Sequence, residues 1–142
     1  MLRARGLYVK KAEYAESKGV GIVLWAGYVA IDRDMEEVCK YYSEIGVKGF
    51  KVDFIDRDDQ KTVNFYYKMA ETAAKYHLII DFHGAYKPTG LNRTYPNVLN
   101  FEGVYGLENV KWNQNLDLVT YETTIPFIRM LAGPMDFTQG AM

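Results

Sequence analysis

Four short apolar runs punctuate this chain at nearly even intervals, and the last three stop on or beside a polar residue. They are residues 19–25 (GVGIVLW), 47–54 (VKGFKVDF), 78–84 (LIIDFHG) and 98–102 (VLNFE). Each is too short for a helix and rich in β-forming residues, so each reads as a strand. The strand ends fall near residues 25, 53, 82 and 102. A repeat of roughly 30 residues is what a strand, a crossover helix and a second parallel strand require. The spacing therefore predicts a parallel sheet with helices between its strands.

The intervening segments carry helical periodicity. Residues 8–18 place Tyr8, Ala12 and Ala15 on one side and meet Gly19 as a stop. Asp34 reads as an acidic N-cap with Glu37 three residues on, followed by a stripe of Met35, Val38, Cys39, Tyr42 and Ile45 that ends at Gly46. Residues 60–76 repeat the pattern with Val63, Tyr66, Met69, Ala70 and Ala73. A loop rich in Pro88, Gly90, Asn92 and Pro96 precedes the last strand, and a short helix is expected to open at Pro126 before an extended tail. Two architectures suit this order, a doubly wound sheet and a (β/α)₈ barrel. No strand is followed by a Gly-x-Gly-x-x-Gly turn or a phosphate-binding Gly-x-x-x-x-Gly-Lys loop, so the nucleotide-binding sheet loses its usual support. The fold class expected is α/β, a partial (β/α)₈ TIM barrel over residues 1–142, because a whole barrel takes about 250 residues.

Composition removes several functions. The 17 basic and 18 acidic residues leave a formal charge of -1, which provides no field to gather nucleic acid or an anionic membrane. No run approaches the length of a membrane span, and the opening residues lack the apolar core of a leader, so neither insertion nor export is expected of the chain as written. The single Cys39 sits in an apolar stripe and reads as a buried thiol. Two histidines on different elements and no second cysteine argue against zinc, and the absence of a Gly-x-Ser-x-Gly elbow argues against a serine hydrolase.

In a (β/α)₈ barrel the chemistry projects from the carboxyl ends of the strands, which singles out Asp53, His83 and Glu102. Paired carboxylates on one rim suit a metal site, an acid and base, or a nucleophile with its acid, and spacing alone does not choose. His83 suits a donor to a sugar hydroxyl or a histidine held by neighbouring backbone. His77 closes a helix and is given no chemistry. Lys51, beside Asp53, is either a substrate contact or a charge partner inside the barrel. Trp25 reads first as a core residue and otherwise as a platform for a sugar face, Trp112 reads as a candidate platform, and Tyr28 and Tyr86 follow strands on the same rim. The run Asp56-Arg57-Asp58-Asp59 reads as a solvated loop capping the next helix, and Asn92-Arg93-Thr94 as a glycosylation sequon with no reason for use.

These residues carry a family resemblance. Gly49-Phe50-Lys51-Val52-Asp53-Phe54, His83-Gly84 with Lys87-Pro88-Thr89-Gly90-Leu91, Phe101-Glu102-Gly103-Val104 with Gly106-Leu107-Glu108, and Arg129-Met130-Leu131-Ala132-Gly133-Pro134-Met135-Asp136-Phe137 resemble, in order, the catalytic barrel of glycoside hydrolase family 97. The resemblance implies an exo-acting α-glycosidase with calcium (Ca2+), its barrel set between a β-sandwich and a C-terminal β-domain that these residues do not include. It implies a periplasmic or secreted bacterial protein. In the retaining group the nucleophile matches Asp53. The inverting group carries a base glutamate after the histidine, where this chain has Gly84. The acid/base matches Glu108 and a calcium ligand matches Glu102; beside these, the residue reading above leaves His83, Lys51 and Trp25 as the candidates for substrate binding. Retention needs an ionised Asp53 and a protonated Glu108, which a partly desolvated loop favours.

The function expected is hydrolysis of terminal α-glycosidic bonds with retention, α-galactosides favoured, and an oligosaccharide or α-glycoside as the partner. The alternatives are an α-glucosidase of the same family, or an inactive barrel fragment that at most binds carbohydrate or calcium. Four or five strands cannot close an eight-stranded barrel, so self-association of the isolated chain is also expected.

Overall fold

The computed structural model describes residues 2–113 and 115–138. The four apolar runs form strands β1 (Val23–Gly27), β2 (Gly49–Asp53), β3 (Ile79–Phe82) and β4 (Val98–Phe101). They lie in the order β1-β2-β3-β4, and every pairing is parallel. Helix α1 (Leu2–Glu16) precedes the sheet, α2 (Tyr28–Glu44) and α3 (Gln60–Lys75) make the first two crossovers, and the single turn α4 (Leu91–Thr94) lies in the third. A 3₁₀ turn at Leu107–Lys111, helix α5 (Leu118–Arg129) and a second 3₁₀ turn at Met130–Ala132 follow. This is the α/β order of strands and helices that the spacing predicts.

The strands have two chemically different faces. Phe50, Val52, Ile80, Phe82 and Phe101 are buried against Ile31, Met35, Cys39, Phe65, Tyr66, Met69 and Ala73 from α2 and α3. Because side chains alternate along a strand, the residues between them point the other way. The register aligns Trp25, Lys51, Asp81 and Asn100 in one row across the sheet, with Asp53 two residues further along β2. The apolar face makes the core and the polar face makes the site. Gly49 shows how closely the backbones approach, since a Cβ there would lie 2.2 Å from the Ile79 carbonyl oxygen.

A bulge adjusts the last pairing. Ile80 faces Val98, but Asp81 faces Asn100, so Leu99 is skipped. Without that extra residue His83 would meet Phe101. With it, Phe82 faces Phe101 and the next residues, His83 and Glu102, come level on the polar face.

Several boundaries differ from the sequence reading, among them that of α1, which spans Leu2–Glu16 rather than residues 8–18, and so does the placement of Trp25. The first strand begins at Val23 rather than Gly19, since residues 20–22 follow a turn in which Gly19 adopts φ +69. Helix α2 begins at Tyr28, and Asp34 (φ -127, ψ 31) is a kink inside it. Burial of Ile31 and the edge-on packing of Tyr28 on Phe65 at 4.7 Å hold the extra turn in place. Helix α5 opens at Asp117, whose side chain accepts from the Thr120 N–H, so Pro126 lies within the helix rather than at its start. Trp25 is 55% exposed and is not a core residue. Tyr28 and Tyr86, read as rim residues, pack edge-on against Phe65 and Tyr66, and Tyr86 also reaches the cavity described below. Cys39 is buried as expected, and burial together with Glu36 pushes its thiol up to about 12. Asp59 caps α3 by accepting from the Thr62 N–H. No helix among the described residues is long and apolar enough to cross a membrane.

Candidate active site

Asp53 closes β2, and both of its oxygens are held. The indole Nε1 of Trp25 donates to Oδ2 at 2.8 Å, and the Phe54 N–H donates to Oδ1 at 2.7 Å. The chain then turns sharply, with Phe54 at φ +61 and Asp56 at φ +48. Non-glycine residues adopt this region only where the surroundings enforce it. The Asp56 N–H donates to the Gly84 carbonyl at 2.6 Å, and the Phe54 ring lies edge-on to Trp25 at 5.5 Å. The carboxylate is thereby presented in one orientation at the strand end.

Backbone pairing continues past the ends of β3 and β4. The His83 N–H donates to Val52 O and the Glu102 N–H donates to Phe82 O, both at 2.8 Å. Asp53, His83 and Glu102 consequently offer atoms that all lie within 4.8 Å of one another. Glu102 Oε2 accepts from the Gly84 N–H at 2.6 Å and stands 3.6 Å from His83 Nδ1. Burial raises the Glu102 carboxyl, Gly84 and His83 pull it back, and the charges of Asp53 and Glu108 push it further up. Lys51 sits on the same face and its charge helps to lower Asp136, so it is at least a charge partner within the site.

His83 is only 2% exposed, and its Nε2 hydrogen-bonds Asp136 and lies 3.3 Å from Asp81 Oδ2. Burial alone would favour the neutral ring. The bonds to Asp81 and Asp136 and the charges of Asp81 and Glu102 outweigh it and push the imidazole up to about 9, so His83 is a cation at neutral pH. Of the two carboxyls that face it, Asp81 is raised by burial and by Asp136, whereas Asp136 is lowered by His83, Asp81 and Lys51 against its own burial. Asp136 is the anion of the pair. Asp81 Oδ1 is buried without a hydrogen-bond partner among the described residues.

Glu108 stands on the 3₁₀ turn Leu107–Lys111, apart from the Asp53–His83–Glu102 cluster. It shares with Glu102 a cavity of about 570 Å³ whose walls include Asp56, Asp58, Gly84, Tyr86 and Tyr105. The turn is anchored by the Leu107 N–H donating to Thr138 O at 3.0 Å. Gly84 forms part of the cavity floor at φ +52, and a Cβ there would lie 2.5 Å from Asp56 Oδ1. The Cβ would also lie 3.1 and 3.2 Å from the Ile55 and Phe54 backbone nitrogens, and the left-handed φ itself favours glycine. Trp112 is exposed, with Lys111 Nζ 6.0 Å from its ring centroid, and is not part of this lining.

The structure thus gathers Asp53, His83, Glu102, Lys51 and Trp25 on one face, and Glu108 lines a cavity together with Glu102. It also adds three residues to which sequence reasoning gave no role. Asp81 is two residues before His83, and strand alternation alone would have put it on the same face. Asp136 and Arg129 come from a segment that no local pattern ties to β3 and β4. Arg129 is buried and donates to five backbone carbonyls around the end of β4.

The chain is 66% identical over 131 residues to a retaining alpha-galactosidase of Bacteroides thetaiotaomicron, an alignment that covers 92% of this chain and 20% of the relative. It is 38% identical over 130 residues to a probable retaining alpha-galactosidase of Streptomyces bingchenggensis, covering 90% of this chain and 20% of that one. The chain therefore spans about a fifth of the length of these curated relatives. Its fold matches a glycoside hydrolase family 97 enzyme from Pseudoalteromonas sp. strain K8, solved in complex with acarbose, at a TM-score of 0.82 and 29% identity, over 92% of this chain and 23% of that one. The family model for glycoside hydrolase 97 matches residues 7–104, the stretch that holds β1 to β4 and Asp53, His83 and Glu102, and the chain belongs to that family.

Proposed function

We propose that these residues supply the catalytic face of a retaining exo-α-glycosidase that acts on α-galactosides. The observation that carries this reading is the single nucleophile position: Asp53 is fixed at the end of β2, while the place where the inverting pattern has its base is Gly84, which has no carboxylate to offer and whose φ of +52 favours glycine. The names of the two curated relatives support the same substrate and stereochemistry.

In the first step a carboxylate oxygen of Asp53 attacks the anomeric carbon as the glycosidic C–O bond breaks, and Glu108 gives its proton to the departing oxygen. In the second, Glu108 takes a proton from water, the water oxygen bonds to the anomeric carbon, and the Asp53 ester bond breaks. The Trp25 and Phe54 donors keep Asp53 from rotating away from the sugar. They also place the exposed Trp25 ring beside the nucleophile, where it offers an apolar surface to one sugar face. His83, as a cation held by Asp136, steadies the negative charge around Asp53 and Glu102, and Lys51 extends the positive side of the same face toward substrate hydroxyls.

The donor set fits calcium better than a softer ion. Glu102 supplies a half-buried carboxylate whose charged form is disfavoured by burial and by its acidic neighbours, a position that a hard cation relieves. His83 Nε2 is engaged by Asp136, which leaves the carboxylate as the better oxygen ligand. Glu102 would hold the ion, which when bound stabilises negative charge on the rim and orients substrate hydroxyls.

The test is to assay the complete protein containing residues 1–142 on paired aryl α-galactosides and α-glucosides, following the first-formed anomer by NMR with and without a calcium chelator. The expected result is faster cleavage of the galactoside, release of α-galactose first, and loss of turnover on chelation that calcium restores better than zinc. Release of the β-anomer first would overturn the retaining assignment, and preference for the glucoside would overturn the substrate. Indifference to the chelator would return Glu102 to a structural role.

A further inference from the structure

Arg129 makes no ion pair among the described residues, although it is 6% exposed. Its Nε donates to Gly103 O at 3.0 Å and Nη1 to Gly133 O at 3.3 Å. Nη2 faces three carbonyl oxygens, those of Phe101 at 3.1 Å, Glu102 at 3.3 Å and Pro134 at 3.2 Å. Three of these acceptors belong to the run that leaves β4 and two to the loop at residues 133–134. That loop continues back along β4, where the Asp136 N–H donates to Phe101 O at 3.0 Å and the Asp136 carboxylate reaches His83 Nε2. The guanidinium is therefore the fastening between the backbone that carries Glu102 and the backbone that carries Asp136.

We propose that Arg129 is a positioning residue of this site: by bridging the carboxyl end of β4 to the 133–134 loop, it sets the backbone from which Asp136 holds His83 and from which Glu102 faces Asp53. Only a planar fork with donors on three nitrogens spans carbonyls on both segments. A lysine concentrates its donors at one point, and an apolar side chain leaves buried carbonyls without partners. The arrangement also accounts for a buried cation without a carboxylate, since the carbonyl dipoles of two chain ends converge on it.

The test uses the complete protein containing residues 1–142, with Arg129→Lys, Arg129→Met, Asp136→Asn and the double variant Arg129→Lys/Asp136→Asn. The activity arm rests on the glycosidase reading above. Arg129→Lys is expected to lower kcat by about 100-fold while KM moves by no more than about 3-fold, because the loss is one of alignment. The double variant is expected to lose clearly less than the product of the two single losses, since both changes break the Asp136 path while Arg129 also sets the Glu102 backbone. Multiplied losses in the double variant, or wild-type kcat in Arg129→Lys, would overturn the proposal.

A second arm is independent of any substrate. In protein labelled with ¹⁵N-histidine, the Nε2–H of His83, assigned by its loss in His83→Gln, is expected far downfield and slow to exchange. It should shift or disappear in both Asp136→Asn and Arg129→Lys. An unmoved resonance in Arg129→Lys sinks the positioning role. If the wild-type protein cleaves no α-glycoside, the glycosidase reading falls and this arm decides alone. Arg129→Met can fail to fold, and the lysine variant then carries the decision, with circular dichroism confirming that it folds.

Discussion

At the scale of single residues, the site is a set of carboxyls given different tasks by what touches them. Asp53 has one donor on each oxygen, Glu102 has a backbone N–H on one, and Asp136 has a histidine cation. Removing the Asp53 carboxyl tests the nucleophile directly. Asp53→Gly should abolish turnover in the complete protein and accept azide in the vacated space, giving a β-galactosyl azide identifiable by NMR; full activity in this variant would exclude the role. His83 gives a prediction about stability. Its ordinary value is 6.5 and in the fold it stands at about 9. A histidine whose value is raised by folding contributes stability that is fully present below about 6.5 and fades as pH rises through about 9. Thermal melting of the native protein should therefore decline over that window, and Asp136→Asn should cost most at its acidic end and least at its alkaline end. Parallel Tm curves for the two proteins would show that Asp136 does not set the charge of His83. The sequence placed Asp53, His83 and Glu102 on strand ends because apolar runs stop there. It could not supply Asp136, whose partner is 53 residues away in the chain.

At the scale of elements, the strands were legible because each is a glycine-edged or turn-edged run of apolar residues, and the helices because their stripes repeat at helical spacing. The errors have physical causes. Asp34 carries a cap signal that packing of Tyr28 and Ile31 overrides, and Pro126 carries a start signal that the Asp117 cap pre-empts. The Leu99 bulge is invisible to pattern reading, because alternation continues on both sides of it. Close packing between β2 and β3 is testable. Gly49→Ala brings a Cβ to within 2.2 Å of the Ile79 carbonyl, a backbone atom that cannot swing aside, so the strands must separate. The expected cost is about 1–3 kcal/mol in chemical denaturation, with lower turnover because Asp53 and His83 sit on the two strands being parted. An unchanged unfolding midpoint would mean that the sheet tolerates the separation.

At the scale of the whole molecule, one face of the sheet is covered by helices and the other presents Trp25, Lys51 and the acidic cluster to solvent. Among the described residues β1 and β4 each pair on one side only, and α5 and the turn after it expose Val119, Phe127, Ile128 and Leu131. Residues 1–142 expressed alone should therefore self-associate and show no α-galactosidase turnover, which sedimentation and a chromogenic assay would check. A monodisperse, active monomer would mean that four strands are enough. The nearest-neighbour strand order has a further consequence, and it concerns synthesis. Each strand docks beside the one made just before it, so Asp53, His83 and Glu102 meet in the sequence in which a ribosome delivers them. These three strand-end groups can be in register before the segment bearing Arg129 and Asp136 has emerged, and that later segment then latches the strand ends and anchors the turn that carries Glu108.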